Sequence, residues 1–178
     1  MRIIAGRLGG RSFKSPAGHR THPMSDKVRG ALFNVLGDIG GLSVLDAFAG
    51  SGALSFEAVS RGASSALAID TDRSAQRTIA DNIAELGLIG KVKLITSSAS
   101  AWLSTTDTAY DLIFCDPPYD DIKPQLLAQV AARAKPGGIV VFSLPPTARL
   151  ALPPDFTLVE HKTYGDATLT FYKRTKTN

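Results

Sequence analysis

The sequence predicts an α/β fold with a mostly parallel sheet, an antiparallel C-terminal hairpin and a short basic arm in front. Three observations carry this. From residue 43 onward, short apolar runs alternate with helical stretches, the pattern of βα units joined by right-handed crossovers. Most of the apolar runs are continuous rather than alternating, as expected of strands buried on both faces. The tail instead carries two strand-like segments around the turn Tyr164-Gly165-Asp166.

The elements follow in order. Residues 1–24 are rich in Gly and Arg and show no helical period; Arg2–Gly6 and Gly10–Lys14 can form two short strands joined at Leu8-Gly9-Gly10. A helix comes next, because Val28, Ala31, Leu32, Val35 and Leu36 fall on one face, Ser25 or Asp26 can cap its start and Gly37 can end it. Strands are expected at 43–49, 65–70, 92–96, 111–116 and 138–144. Helices are expected at 54–61, 73–86, 99–103 and 124–134, and the hairpin strands at 157–163 and 168–173. The one boundary falls near residue 24, giving an arm (1–24) and a main domain (25–178).

A chain of 178 residues with 44% hydrophobic content is large enough for one sizeable core. No stretch reaches the roughly 18 uninterrupted apolar residues of a membrane span. The first residues have no apolar region of a secretory signal, and the lone Cys115 excludes an internal disulfide, so a cytoplasmic protein is expected. No apolar surface pattern is left over once the sheet is built, which favours a monomer. His19, His22 and His161 lack ligand spacing, and no metal is expected.

Charge is uneven. Residues 1–35 hold seven basic side chains against Asp26 alone, a net of +6, so the remainder carries −2 of the total +4. A basic arm on a mildly acidic body points to an anionic partner such as nucleic acid. The phosphate-contact candidates are Arg7, Arg11, Lys14, Arg20 and Arg29, with a solvated charged face as the alternative for each. Phe13 among them has two readings, stacking on a base or packing the arm on the body, and the second is preferred.

Asp46-Ala47-Phe48-Ala49-Gly50-Ser51-Gly52-Ala53 runs from a buried strand into a helix. Its glycines allow a sharp turn and close approach to a ligand. By itself this could be only a tight strand–helix turn. A dinucleotide fingerprint would put a third glycine at Ser55, and no Lys-Ser/Thr pair of a phosphate loop follows. The loop therefore suits a nucleoside ligand without phosphates. Asp70 ends the next strand, 18 residues beyond Gly52, where an acid can accept hydrogen bonds from both ribose hydroxyls. Asp72 reads instead as a helix N-cap.

Asp116-Pro117-Pro118-Tyr119 is the most specific signal. Two prolines fix φ twice and remove two amide donors, leaving a stiff corner that displays acceptors, the Asp116 carboxylate and the Pro117 carbonyl. Two such acceptors can bind both hydrogens of a planar amino group and aim its lone pair at a methyl donor. Because a sulfonium donor is already activated, positioning dominates, and good alignment can supply up to roughly 7–11 kcal/mol. Tyr119 offers a stacking face worth about 1–3 kcal/mol to a base. Cys115, inside the apolar strand, reads as core.

These segments resemble the class I S-adenosylmethionine methyltransferases with a Rossmann-like fold, and specifically the RsmD family of 16S rRNA guanine-N2 methyltransferases. The resemblance spans almost the whole chain, through Arg2–Gly6, Asp26–Arg29 with Leu32–Asn34, Asp46–Leu54 with Glu57-Ala58 and Ser60–Gly62, Asp116–Tyr119 and Tyr164–Asp166. It implies a seven-stranded sheet and S-adenosylmethionine as cofactor. The methionine end would lie over Phe48, Ala49, Gly50 and Gly52, with Asp46 of the same motif among the contacts. Asp70 would hold the ribose, and the adenine would sit near Ser98 and Ala99. It further implies Asp116, Pro117 and Tyr119 as the catalytic corner and small-subunit RNA as partner. The chain departs from the family pattern at Ser98, where many relatives have an acid. It departs also at His22-Pro23-Met24 in place of Arg-Pro-Thr and at Gly30 in place of Glu.

The expected activity is methylation of the exocyclic N2 of one guanine in 16S rRNA. Adenine-N6 in DNA and a glutamine amide in a protein share the Pro-Pro corner. The basic arm disfavours the glutamine, and the short chain leaves no room for a separate DNA-recognition domain. A cofactor-binding assembly factor without turnover is the alternative of another class. Trp102 is expected in the core, with the adenine pocket as its other reading. Lys123 reads as a surface lysine or as a contact to the substrate backbone.

Overall fold

The computed structural model describes residues 1–17 and 24–175. Seven strands, β1 (Ser43–Asp46), β2 (Ser65–Asp70), β3 (Val92–Thr96), β4 (Tyr110–Cys115), β5 (Ala134–Leu144), β6 (Phe156–Tyr164) and β7 (Ala167–Arg174), form one sheet. Their order is β3-β2-β1-β4-β5-β7-β6. The first five are parallel, while β7 runs antiparallel to both β5 and β6. The helices are α1 (Asp26–Leu36), α2 (Ala53–Ser60), α3 (Arg73–Glu85), α4 (Ala99–Leu103) and α5 (Pro124–Ala131). The expected fold class and element order are those observed.

Local chemistry explains most boundaries. Ser25 caps α1, its hydroxyl accepting from Val28 N–H, and Gly37 ends it with φ 69° while donating to the Phe33 carbonyl. Asp72 caps α3 through Ala75 N–H, and Ser98 caps α4 through Ala101 N–H. β1 stops at Asp46, three residues short of the expected 49, where the chain turns off into the glycine loop, and two later boundaries differ from expectation for one shared reason. The Arg133 carbonyl accepts from Tyr110 N–H, and Tyr110 pairs with Ala134 before a register shift brings Leu112 opposite Ile139. The chain therefore joins the sheet at Ala134, four residues earlier than the apolar run begins, and α5 stops at Ala131.

The core lies in two layers. Phe33, Phe56, Phe114 and Phe171 pack on one face of the sheet, and Trp102, Tyr110, Leu127 and Phe142 on the other. Trp102 is thus a core residue, tilted against Tyr110.

Helix α2 is buried along its whole length. One side rests on the sheet; the other is covered by residues 1–13, which insert Ile3, Leu8 and Phe13 into the core. Phe13 meets Phe56 edge to face with centroids 5.3 Å apart, so its packing reading holds. The expected pair of short strands reduces to a single antiparallel bridge, Arg2 with Ser12. The reason is competition for backbone donors: Ile4 and Ala5 N–H donate to the Glu57 carboxylate at 2.7 and 3.0 Å, and Leu8 N–H to the Ser60 hydroxyl at 2.9 Å. Among the described residues no helix is long and apolar enough to cross a membrane.

Candidate active site

The C-terminal ends of β1, β2 and β4 bring three carboxylates to one edge: Asp46, Asp70 and Asp116. After β1 the chain turns through Gly50 and Gly52, at φ 53° and 78°. A side chain at Gly52 would place its Cβ 2.7 Å from the Phe56 ring, so only glycine fits. Asp70 holds the loop in place: one carboxylate oxygen accepts from Gly50 N–H at 2.6 Å and the other from Asp72 N–H at 2.8 Å. Burial raises the Asp70 pKa, and these amides partly offset the rise.

Asp46 is 1% exposed. Its Oδ2 accepts from the Ser55 hydroxyl at 2.8 Å, while its Oδ1 is buried without a partner. Burial is the main cause that lifts its pKa to about 7; Asp116 and Asp70 add to the rise, and Ser55 opposes it. An unpaired acceptor inside a cluster of acids favours a ligand that brings hydrogen-bond donors and positive charge.

Asp116 follows β4. Burial lifts its pKa to about 6, and the neighbouring Ser143 hydroxyl opposes the rise. Among the described residues no hydrogen bond reaches the Pro117 carbonyl. Tyr119 is 39% exposed, and its hydroxyl lies 3.2 Å from that of Ser143. Behind the corner, an apolar crevice is lined by Met24, Leu32, Leu54, Phe114, Asp116 and Ser143.

Around this edge Phe48 is half-buried, and Ala49 and Ala99 are buried. The Ser98 hydroxyl is committed to capping α4 and touches Ser100 at 3.0 Å. Cys115 is buried in the core, and burial pushes its thiol pKa up. Lys123 pairs with Asp121 at the surface.

The phosphate-contact candidates part company. Arg7 is exposed and forms no side-chain hydrogen bond or ion pair among the described residues. Arg11 donates to the Glu85 and Leu86 carbonyls, and Lys14 pairs with the Glu85 carboxylate, so both tie the arm to the end of α3. Arg29 departs from expectation: it is fully buried, donating to the Met24 and Arg2 carbonyls and to Asp26, which leaves no guanidinium surface for a phosphate. Arg20, His19 and His22 lie outside the described residues.

Ser143 is the site residue that the sequence did not single out. Its one signal is register: Phe142 pairs with Cys115, so the next residue of β5 stands beside Asp116. The pairing of β4 with β5 has to be known before that can be seen.

A sheet of this order with a glycine turn and an acid-Pro-Pro-aromatic corner on the same edge defines a class I methyltransferase. The family described as Conserved hypothetical protein 95 matches residues 1–173, and the chain belongs to it, the RsmD family. Bacillus subtilis YlbH, named as a candidate rRNA methyltransferase, is 33% identical over 187 aligned positions, which span 98% of this chain and 99% of that protein. Ribosomal RNA small subunit methyltransferase D of Escherichia coli is 38% identical over 120 residues, a match covering 67% of this chain and 60% of the E. coli protein. The solved structure of E. coli yhhF superposes with a TM-score of 0.88 at 29% identity, covering 99% of each chain.

Proposed function

We propose that the chain transfers a methyl group from S-adenosylmethionine to the exocyclic N2 of a guanine in small-subunit ribosomal RNA. The observation that carries the reading is the pairing of a donor-poor acceptor corner, Asp116-Pro117, with the buried unpaired Asp46 Oδ1 on one sheet edge. The names of the relatives support the RNA substrate.

The site fits the cofactor. Asp46 offers an unpaired oxygen to a donor group, and Gly50 and Gly52 leave the backbone bare for close approach. Asp70, cross-linked to the loop, has lone pairs left for ribose hydroxyls, and Ala99 sits where the adenine is expected. Ser98, already a helix cap, contributes through the backbone only. Bound there, the cofactor supplies a methyl group on a sulfonium that leaves as a neutral thioether.

The protein's own part is alignment. Asp116 and the Pro117 carbonyl each accept one amino hydrogen, which turns the nitrogen lone pair outward. Tyr119 presents its ring to the base. After transfer the nitrogen carries one proton too many. Asp116, ionised above about pH 6, can take it and pass it to water.

Residues 1–24 form the RNA-facing part and residues 25–178 the methyltransferase domain in this reading. Arg7 and Arg20 are the proposed phosphate contacts; Arg11 and Lys14 hold the arm against α3. Small ribosomal subunits from a strain lacking its own enzyme, incubated with the protein and labelled methyl donor, should take label at one guanine. Label on DNA or on a release factor instead overturns the reading, and cofactor binding without any transfer favours the assembly factor.

A further inference from the structure

Ser143 stands at the end of β5, 4% exposed, beside the acid of the Pro-Pro corner. A hydroxyl has one hydrogen and two lone pairs, so in a buried site it is most useful as a relay between a donor and an acceptor. The Tyr119 hydroxyl lies 3.2 Å away, and the strand register, with Phe142 opposite Cys115, sets Asp116 beside Ser143 in the crevice that both line. We propose that Ser143 is a positioning residue, taking a hydrogen bond from the Tyr119 hydroxyl and giving one to Asp116, so that one carboxylate oxygen is tied down and the other is left for the substrate amino group. The proposal rests on the methyltransferase reading of the corner.

The direction of the relay follows from acceptor strength. An ionised carboxylate outcompetes a phenol for the serine hydrogen, which leaves the serine lone pair to the tyrosine. Two consequences follow. The tyrosine ring, 39% exposed, is held at one orientation by its hydroxyl, with ring surface left open to a base. The carboxylate also receives a donor that helps to keep it ionised in a setting that opposes charge. Burial works against ionisation there, and among the described residues the groups around the carboxyl add no positive charge. Asp46 comes from the end of β1, the Cys115 thiol precedes Asp116 on β4, and Asp166 of the β6–β7 turn faces Tyr119.

The test follows the Asp116 carboxyl carbon by 13C NMR through a pH titration of the free protein, alongside the pH profile of methyl transfer. Ser143→Ala should move the Asp116 midpoint upward by roughly one unit, the size expected when a carboxylate loses one hydroxyl donor. The acid limb of the rate profile should move with it, and kcat should fall on the order of tenfold while cofactor affinity is unchanged. Ser143→Thr, which keeps the hydroxyl, should restore the wild-type midpoint. An unmoved midpoint in Ser143→Ala overturns the relay. The titration needs no substrate, so it decides on Ser143 even if the wild-type protein labels something other than ribosomal RNA.

Discussion

Glu57→Ala should be strongly destabilising. Glu57 lies on α2 with no exposed surface. Its carboxylate accepts from Ile4 and Ala5 N–H, at 2.7 and 3.0 Å, and from Arg61 Nε at 2.7 Å, and it faces the buried Arg29 Nε at 4.0 Å. Alanine removes all four partners at once. Breaking one side of a buried charge pair costs about 3–5 kcal/mol, and each stranded buried donor about 1–3 kcal/mol. Two features hold the sum near the lower figure: Arg29 keeps Asp26, and Arg61 is 17% exposed and can turn to water. A loss of about 3–5 kcal/mol is a large part of the roughly 5–15 kcal/mol that holds a domain together. At about 2–4 °C per kcal/mol for a domain of this size, Tm should fall by roughly 6–20 °C. Thermal and urea melts measure this, and hydrogen exchange should show the Ile4 and Ala5 amides losing protection first. Glu57→Gln, which keeps an acceptor, should lose about half as much. An alanine variant melting within about 2 °C of wild type would refute the reasoning.

Three further outcomes are expected. Asp116→Ala should lower methyl transfer on the order of 100-fold or more, because the amino group loses its main acceptor, while calorimetry finds cofactor affinity nearly unchanged. Asp46→Asn should act in opposite directions on stability and binding. A carboxyl whose pKa is raised to about 7 by burial costs the fold stability as pH climbs from its ordinary value near 4 through 7. The amide should therefore melt higher than wild type at pH 8 without ligand, yet bind the cofactor more weakly; a lower melt at pH 8 counts against it. Arg7→Ala should leave Tm unchanged and reduce the slope of log affinity for the ribosomal particle against log salt by about one, as filter binding at several salt concentrations would record.

The βα alternation was legible because each unit repeats a local pattern: a continuous apolar run, a cap such as Asp72, then an amphipathic helix. The Gly50–Gly52 turn and the Pro-Pro corner were legible for the same reason, since their chemistry is carried by adjacent residues. What could not be read were interactions across the chain. Arg29 looked like one more charge of a basic arm until the fold placed it between Asp26 and Glu57. Nothing in the sequence singles out Ser143, and only the pairing of β5 with β4 sets it beside Asp116. The pair of short strands expected near the start came down to one bridge because Glu57, more than fifty residues away, takes the Ile4 and Ala5 amides that would have carried the first strand onward.

The first thirteen residues serve α2 as an outer wall, and α2 begins at the very turn expected to meet the cofactor. Shortening the protein from this end would not simply detach a handle for RNA. It would lay an oily helix open to solvent and loosen the glycine turn mounted on it, so substrate capture and cofactor retention should decline together in any such truncation.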